Sequence, residues 1–320
     1  MRQVALLFPG QGSQKVGMGL ALADTHPTAR RTFDEADEAL GLPLSKLCFE
    51  GPEDALKRTE ITQPAILTAS VALHRVLVER RPELAKPALA AGHSLGEWSA
   101  LVAVGAMRFS DAVRAVHARG RLMQEAVPEG RGAMSAVLGL PADRVTAICA
   151  EVEASGDGGV VRAANFNSTE QTVISGEAAA VARAGEALHH AGAMKVIPLA
   201  VSAPFHCPLM KPAADGLARV LAGIEIGALG APVVTNVEAT PNSDPARVKG
   251  LLIEQVTAPV RWVESVQAMV RAGVLEGIEL GPGKVLAGLV RRVDKSFKVH
   301  AVEDPATLDK ALAALDAPAS

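Results

Sequence analysis

Along the chain, short apolar runs closed off by glycine, proline or polar clusters exchange with longer stretches whose apolar residues return every three or four positions. The first kind reads as strands and the second as helices. By this rule residues 4–8 form a strand, 17–24 and 61–80 form helices, 87–91 forms a short strand of small residues, and an apolar helix starts at Leu95. Strands alternating with helices predict an open, mostly parallel sheet. From residue 132 the rhythm changes to strand 134–138, helix 142–154, strands 160–164 and 171–175, helix 178–191 and strand 194–199. That βαββαβ order predicts a ferredoxin-like unit. Alternation resumes with strand 233–235, helices 248–255 and 263–272, strand 277–280, helix 285–293 and strand 298–302. The expected class is α/β. A large subdomain of residues 1–130 and 202–320 carries the mostly parallel sheet, and a small subdomain of residues 131–201 interrupts it. A cleft between two such units is the natural place for a substrate.

The run Gly92-His93-Ser94-Leu95-Gly96 sets a serine where strand 87–91 turns into the next helix, the form of a nucleophile elbow. So sharp a turn strains its central residue and needs very small residues two places before and after, which Gly92 and Gly96 supply. The bend exposes the Ser94 hydroxyl and aims the first helical N–H groups at an oxygen that becomes negative beside it. Downstream, Leu95, Trp98, Leu101, Val102, Val104 and Met107 leave no polar face, so this helix belongs in the interior.

A serine nucleophile needs a base, and the chain holds eight histidines. His93 adjoins the serine and is expected to point away from it. His26, His189, His190 and His300 have polar surroundings, and His74 and His117 lie on helices without special neighbours. His206 differs, because prolines clamp its loop, Ser202-Ala203-Pro204-Phe205-His206-Cys207-Pro208. No acid between Ser94 and His206 stands at an obvious strand end, so the simpler expectation is a Ser-His dyad oriented by a carbonyl oxygen. Cys207 is a rival nucleophile on paper, and packing is its plainer role.

The loop Phe8-Pro9-Gly10-Gln11-Gly12-Ser13-Gln14 fails both phosphate-loop patterns, since Lys15 stands where the dinucleotide fingerprint needs glycine and Met18 where the Walker lysine would be. Its glycines suit a close backbone approach to a ligand, with the Gln11 N–H joining that of Leu95 as oxyanion donors. On the helix 111–126, Arg114, His117, Arg121 and Glu125 share a polar row, whereas Arg119 shares its row with Ala112, Ala115, Leu122 and Ala126. A guanidinium on the apolar side is costly unless it is paired or reaches solvent, and a carboxylate is its best bidentate partner. Either a structural ion pair or a substrate carboxylate answers that need.

Composition narrows the field. The chain of 320 residues, about half hydrophobic, can bury a large core. A net charge of −3, with two Trp, no Tyr and seven Phe, argues against nucleic acid as a partner. The basic clusters at Arg291-Arg292 and 295–298 read as solvated surface. Cys48, Cys149 and Cys207 are scattered, with no metal motif, so a reducing cytoplasmic setting is expected. No signal peptide is expected, nor any stretch approaching the length that crosses a bilayer, and no unexplained apolar helix stripe calls for more than a monomer.

Taken in order, Leu7-Phe8-Pro9-Gly10-Gln11-Gly12-Ser13-Gln14, Thr62-Gln63-Pro64-Ala65, Gly92-His93-Ser94-Leu95-Gly96-Glu97, Arg119-Gly120 with Met123-Gln124, Asn165-Phe166-Asn167-Ser168, Pro204-Phe205-His206, Pro259-Val260-Arg261-Trp262 and Gly281-Pro282-Gly283 strongly resemble the malonyl-CoA:acyl carrier protein transacylases of bacterial fatty acid synthesis. The resemblance spans nearly the whole chain. It implies a hydrolase-like large subdomain with a ferredoxin-like small one, no permanently bound cofactor, and malonyl-CoA and phosphopantetheinylated acyl carrier protein as substrates. By the same resemblance Ser94 is the nucleophile, His206 the base, Arg119 the clamp for the malonyl carboxylate, Gln11 and Leu95 the oxyanion amides, and Gln255 the residue whose carbonyl orients the histidine. Trp98 stands where tyrosine is common and Phe205 where some members carry serine. Polyketide-type acyltransferases, an acyl-thioester hydrolase and a non-catalytic acyl-binding module are the competing readings.

Overall fold

Every residue of the first strand, Val4–Phe8, is buried, because its two faces meet different cores. Val4, Leu6 and Phe8 belong to one apolar cluster, while Ala5 and Leu7 belong to another. A strand covered on both sides carries a continuous apolar run, as strands of parallel sheets do. The computed structural model describes residues 3–155, 159–201 and 203–317. In chain order its strands are β1 (Val4–Phe8), β2 (Leu89–Gly92), β3 (Gly132–Leu138), β4 (Val161–Ser168), β5 (Gln171–Glu177) and β6 (Lys195–Pro198). Then follow β7 (Val233–Val234), β8 (Pro241–Asn242), β9 (Glu276–Leu280) and β10 (Lys298–Val302).

The larger sheet has the order β10-β9-β1-β2-β7-β8, parallel throughout except for the last pair. Phe8 lies opposite Gly92 in the β1–β2 register. The loop carrying Gln11 and the elbow carrying Ser94 therefore leave the same carboxyl-end rim side by side, where open α/β sheets place their ligands.

The smaller sheet, β4-β5-β3-β6, is antiparallel. Val137, Val161 and Ile174 on one face pack with Val145, Ile148 and Val181 of the helices Ala142–Ala154 and Ala178–His190. Met134, Ala136, Ala164 and Val173 on the other face join the main core. β4 runs on to Ser168, beyond the expected end at residue 164, because Asn165, Phe166 and Ser168 continue the antiparallel pairing with Val173, Thr172 and Gln171 of β5, and its far end also meets the loop at Val260. Phe166 N donates to Val260 O at 2.9 Å, and Val260 N donates to Ala164 O at 2.8 Å.

Other departures have local causes. The helix expected over 17–24 starts only at Leu20, since Gly17 and Gly19 both hold positive φ. Helices Pro27–Leu40, Leu44–Glu50, Glu53–Lys57, Lys211–Ala222 and Pro305–Asp316 lie outside the sequence pattern read above. The helix Thr59–Arg80 corrects the expectation about membrane length. With 22 residues and a mean hydropathy of 1.3 in its most apolar window it is long and apolar enough to cross a bilayer, yet 89% of that window is buried inside the protein. His74, on this helix, is also not the ordinary residue expected: burial pushes its imidazole down to about 4, and its ring edge meets Phe8.

Candidate active site

The elbow at Ser94 is built by three pieces of backbone meeting at van der Waals distance. Ser94 has φ 51° and ψ −104° and caps the helix Leu95–Ala103. A Cβ on Gly92 would lie 2.0 Å from the backbone carbon of Gly96, and a Cβ on Gly96 would lie 1.9 Å from Phe8 O on β1. The smallness rule thus has two causes, the chain meeting itself and the neighbouring strand. Gly96→Ala is accordingly expected to cost about 4 kcal/mol or more, the range of severe backbone conflicts. Urea unfolding of the variant checks it, and a midpoint near the parent's would show that β1 yields. Apart from Val102, every residue from Leu95 to Ala103 is buried, as the missing polar face predicted.

His206 arrives from the loop after the small sheet with φ 60° and 4% exposure. Ser202, at the start of that loop, lies outside the described residues. The imidazole Nδ1 is 2.9 Å from Gln255 O and Nε2 is 2.8 Å from Ser94 Oγ. A carbonyl only accepts, so Nδ1 carries the hydrogen and Nε2 accepts from the serine hydroxyl. Burial, and after it the charge of Arg119, push His206 down to about 3, so the empty site holds a neutral imidazole. The neighbouring Cys207 is buried, donates to Pro204 O at 3.1 Å, and has its thiol pushed up by burial, which makes it inert.

Arg119 is 2% exposed. Its Nη1 donates to Gln63 Oε1 at 2.8 Å, and its Nη2 donates to Gln255 Oε1 at 3.0 Å and to Ser94 Oγ at 3.2 Å. These partners are neutral, and among the described residues Nε has none and no carboxylate forms an ion pair with this guanidinium. Burial pushes it down to about 10, with the charge of Glu97 acting the other way. A buried cation held by amides, with one N–H reaching the nucleophile and another without a partner, is arranged to receive an anion. The cavity around it holds about 170 Å³ and is bordered by Gln11, Leu95, Met134, Asn167, Val201 and Phe205. That is room for a short acyl group and not for a whole coenzyme. Among the described residues no cluster of three His, Cys, Asp or Glu is set to hold a metal ion.

Residues 5–309 match the family described as "Acyl transferase domain". The chain belongs to that family. This acyl transferase is 49% identical over 312 residues to the malonyl CoA-acyl carrier protein transacylase of Salmonella typhimurium, covering 98% of this chain and 99% of that one. It is 47% identical over 315 residues to the Bacillus subtilis protein of the same name, covering 98% of each. An acyl carrier protein S-malonyltransferase from Vibrio cholerae superposes with a TM-score of 0.92 at 48% identity, over 96% of this chain and 99% of that one. A malonyl-transacylase solved in complex with its type II PKS acyl-carrier protein superposes with a TM-score of 0.93 at 48% identity, over 98% and 99%.

The acyl transferase site contains residues to which the sequence reading gave no role. Asn236 accepts from Ser94 N through Oδ1 at 2.6 Å and donates through Nδ2 to Gly92 O at 2.7 Å, bracing the elbow on both sides. Glu97 accepts from Asn236 N at 2.9 Å and from Gln255 Nε2 at 2.7 Å. His93 bonds Asn167 Oδ1 through Nε2 at 2.8 Å and borders the same cavity as Ser94. Two signals were available. Glu97 is a lone acid on an otherwise apolar helix, as Arg119 is a lone charge on the apolar row of its helix, and Asn236 follows a short strand at the carboxyl-end rim.

Proposed function

We propose that the chain moves a malonyl group from coenzyme A to the phosphopantetheine thiol of an acyl carrier protein through an ester on Ser94. The observation that carries the reading is the buried, amide-held Arg119 cation 3.2 Å from the Ser94 hydroxyl. An acyl group that ends in a carboxylate satisfies both at once. In the first half-reaction His206 Nε2 takes the Ser94 proton while Oγ attacks the thioester carbonyl carbon, and the amides of Gln11 and Leu95 hold the oxyanion. The Leu95 N–H belongs to the first turn of the elbow helix, where it has no helical acceptor. The Gln11 side chain donates to Thr59 Oγ1 at 3.3 Å, steadying its loop. Collapse of the tetrahedral adduct breaks the C–S bond, and the imidazolium returns its proton to the departing coenzyme A thiolate. In the second half the carrier thiol gives its proton to His206, attacks the ester, and restores the Ser94 hydroxyl. Gln255 O orients the imidazole in both halves, in the place an acid takes in a triad. One thioester replaces another, so the reaction is reversible.

A hydrolase would need water at the ester and would have no use for an unpaired Arg119. The deciding experiment mixes the protein with malonyl-CoA and holo acyl carrier protein and follows the carrier by mass. Malonyl-carrier is expected, and free malonate without it would sink the transfer. We place the enzyme in the reducing cytoplasm, in keeping with three buried free cysteines.

The depressed His206 has a kinetic consequence. The base works only when neutral, and a group pushed from 6.5 to about 3 stays neutral as the pH falls through the ordinary histidine range. The rate of Ser94 acylation by malonyl-CoA is therefore expected to show no falling limb near pH 6.5. Rapid-quench measurement of the acyl-enzyme from pH 8 down to about 5 checks this, and a tenfold fall per pH unit beginning near 6.5 would refute it.

A further inference from the structure

We infer that Glu97 is a positioning residue, which fixes the side-chain amide of Gln255 with its oxygen toward Arg119 and so holds the guanidinium in register with Ser94 for an acyl group bearing a carboxylate. The inference rests on the malonyl reading above. An amide has one accepting end and one donating end, and the two ends of Gln255 face opposite kinds of group. Its Nε2 donates to Glu97 Oε2 at 2.7 Å and to Ser94 O at 3.1 Å, while its Oε1 accepts from Arg119 Nη2 at 3.0 Å. Turned over, it would set N–H groups against a guanidinium and an oxygen against a carboxylate. Glu97 therefore selects the orientation in which Gln255 can hold Arg119. The Gln255 backbone carbonyl meanwhile orients His206, so one residue serves the base through its main chain and the clamp through its side chain.

Glu97 is well placed for this task. It lies in the first turn of the elbow helix, so it moves with Ser94, and it is 2% exposed. Through Asn236 it also reaches the elbow's back, since Asn236 N donates to Glu97 and Asn236 Oδ1 accepts from Ser94 N. Both bonds to Glu97 fall on the same oxygen, Oε2. A neutral side chain with one carbonyl oxygen in that place accepts both. Burial pushes the Glu97 carboxyl up to about 7, with the two hydrogen bonds and Arg119 opposing, and protonation on Oε1 leaves the arrangement standing. The function belongs to the acceptor atom and not to the charge.

The test compares malonyl-CoA with acetyl-CoA as acyl donor, reading kcat/KM for acyl-enzyme formation. Glu97→Met removes the acceptor and is expected to lower the malonyl-over-acetyl preference about tenfold or more, a size set by losing hydrogen bonds to a charged group. Glu97→Gln keeps an acceptor oxygen and is expected to hold the preference within about threefold of the parent. Gln255→Met, which keeps the backbone carbonyl, is expected to behave like Glu97→Met, and it decides the matter should that variant fail to fold. In the double variant Glu97→Met, Arg119→Ala the preference should equal that of Arg119→Ala alone, because Glu97 acts through Arg119. Equal losses for both donors, additive losses in the double variant, or Glu97→Gln as impaired as Glu97→Met would overturn the inference. A parent protein that forms no malonyl-enzyme would overturn the malonyl reading and the inference with it, an outcome distinguishable from the others.

Discussion

Ser94→Ala is expected to form no acyl-enzyme with malonyl-CoA and to lose transfer by a factor on the order of 10⁴ or more, the usual scale for removing a covalent nucleophile. The substitution leaves the elbow intact, because the bend is held by the close approach of Gly92, Gly96 and β1 and by the bond from Ser94 N to Asn236 Oδ1. Alanine keeps the Cβ and loses only Oγ, the atom shared by His206 and Arg119. A folded, inert protein is the predicted result, with an unfolding midpoint close to the parent's. His206→Ala should fall nearly as far, and the pair together no further, since nucleophile and base act as one unit. Intact-mass analysis after rapid quench reads the acyl-enzyme directly. Label retained by Ser94→Ala would move the nucleophile elsewhere, and transfer retained without label would mean direct attack of the carrier thiol.

How far the sequence showed this site depended on whether a residue's role was local. Ser94 was visible because an elbow is a contiguous pattern of small residues between a strand and a helix. Arg119 was visible because helical periodicity puts a charge on an apolar row, and its burial follows from that. His206 was marked by the prolines around it. The network that joins them was not visible, because its members are separated by 158 positions between Glu97 and Gln255 and 139 between Glu97 and Asn236. Nothing in local pattern tells that a buried Glu on one helix meets an amide on another. The same holds for the fold. Both sheets could be read from alternation, whereas the backbone bonds joining β4 to Val260 belong to two distant segments that no local pattern connects.

Arg119→Ala is expected to cut malonyl transfer by roughly 10² to 10³-fold, from about 3–4 kcal/mol for removing the partner of a desolvated carboxylate. Acetyl transfer should change little. An acetyl group presents no charge to the guanidinium, so its loss removes nothing that the acetyl transition state uses. The empty site even works against acetyl. There Arg119 donates to Ser94 Oγ, occupying a lone pair of the nucleophile, and its charge is the second cause pushing His206 down. A malonyl carboxylate that pairs with the guanidinium cancels that charge and draws Nη2 toward itself, so the substrate raises the basicity of the histidine that will serve it. Acetyl lacks this help in the parent and would be relieved of the charge in the variant, which puts the acetyl rate of Arg119→Ala at or above the parent's once the folded fraction is corrected for. Arg119→Lys should resemble alanine for malonyl, because an ammonium cannot hold Gln63, Gln255 and a bidentate carboxylate together. The measurement is kcat/KM for acyl-enzyme formation with each donor. Equal losses for malonyl and acetyl would show that Arg119 supports the fold of the site and does not choose its acyl group.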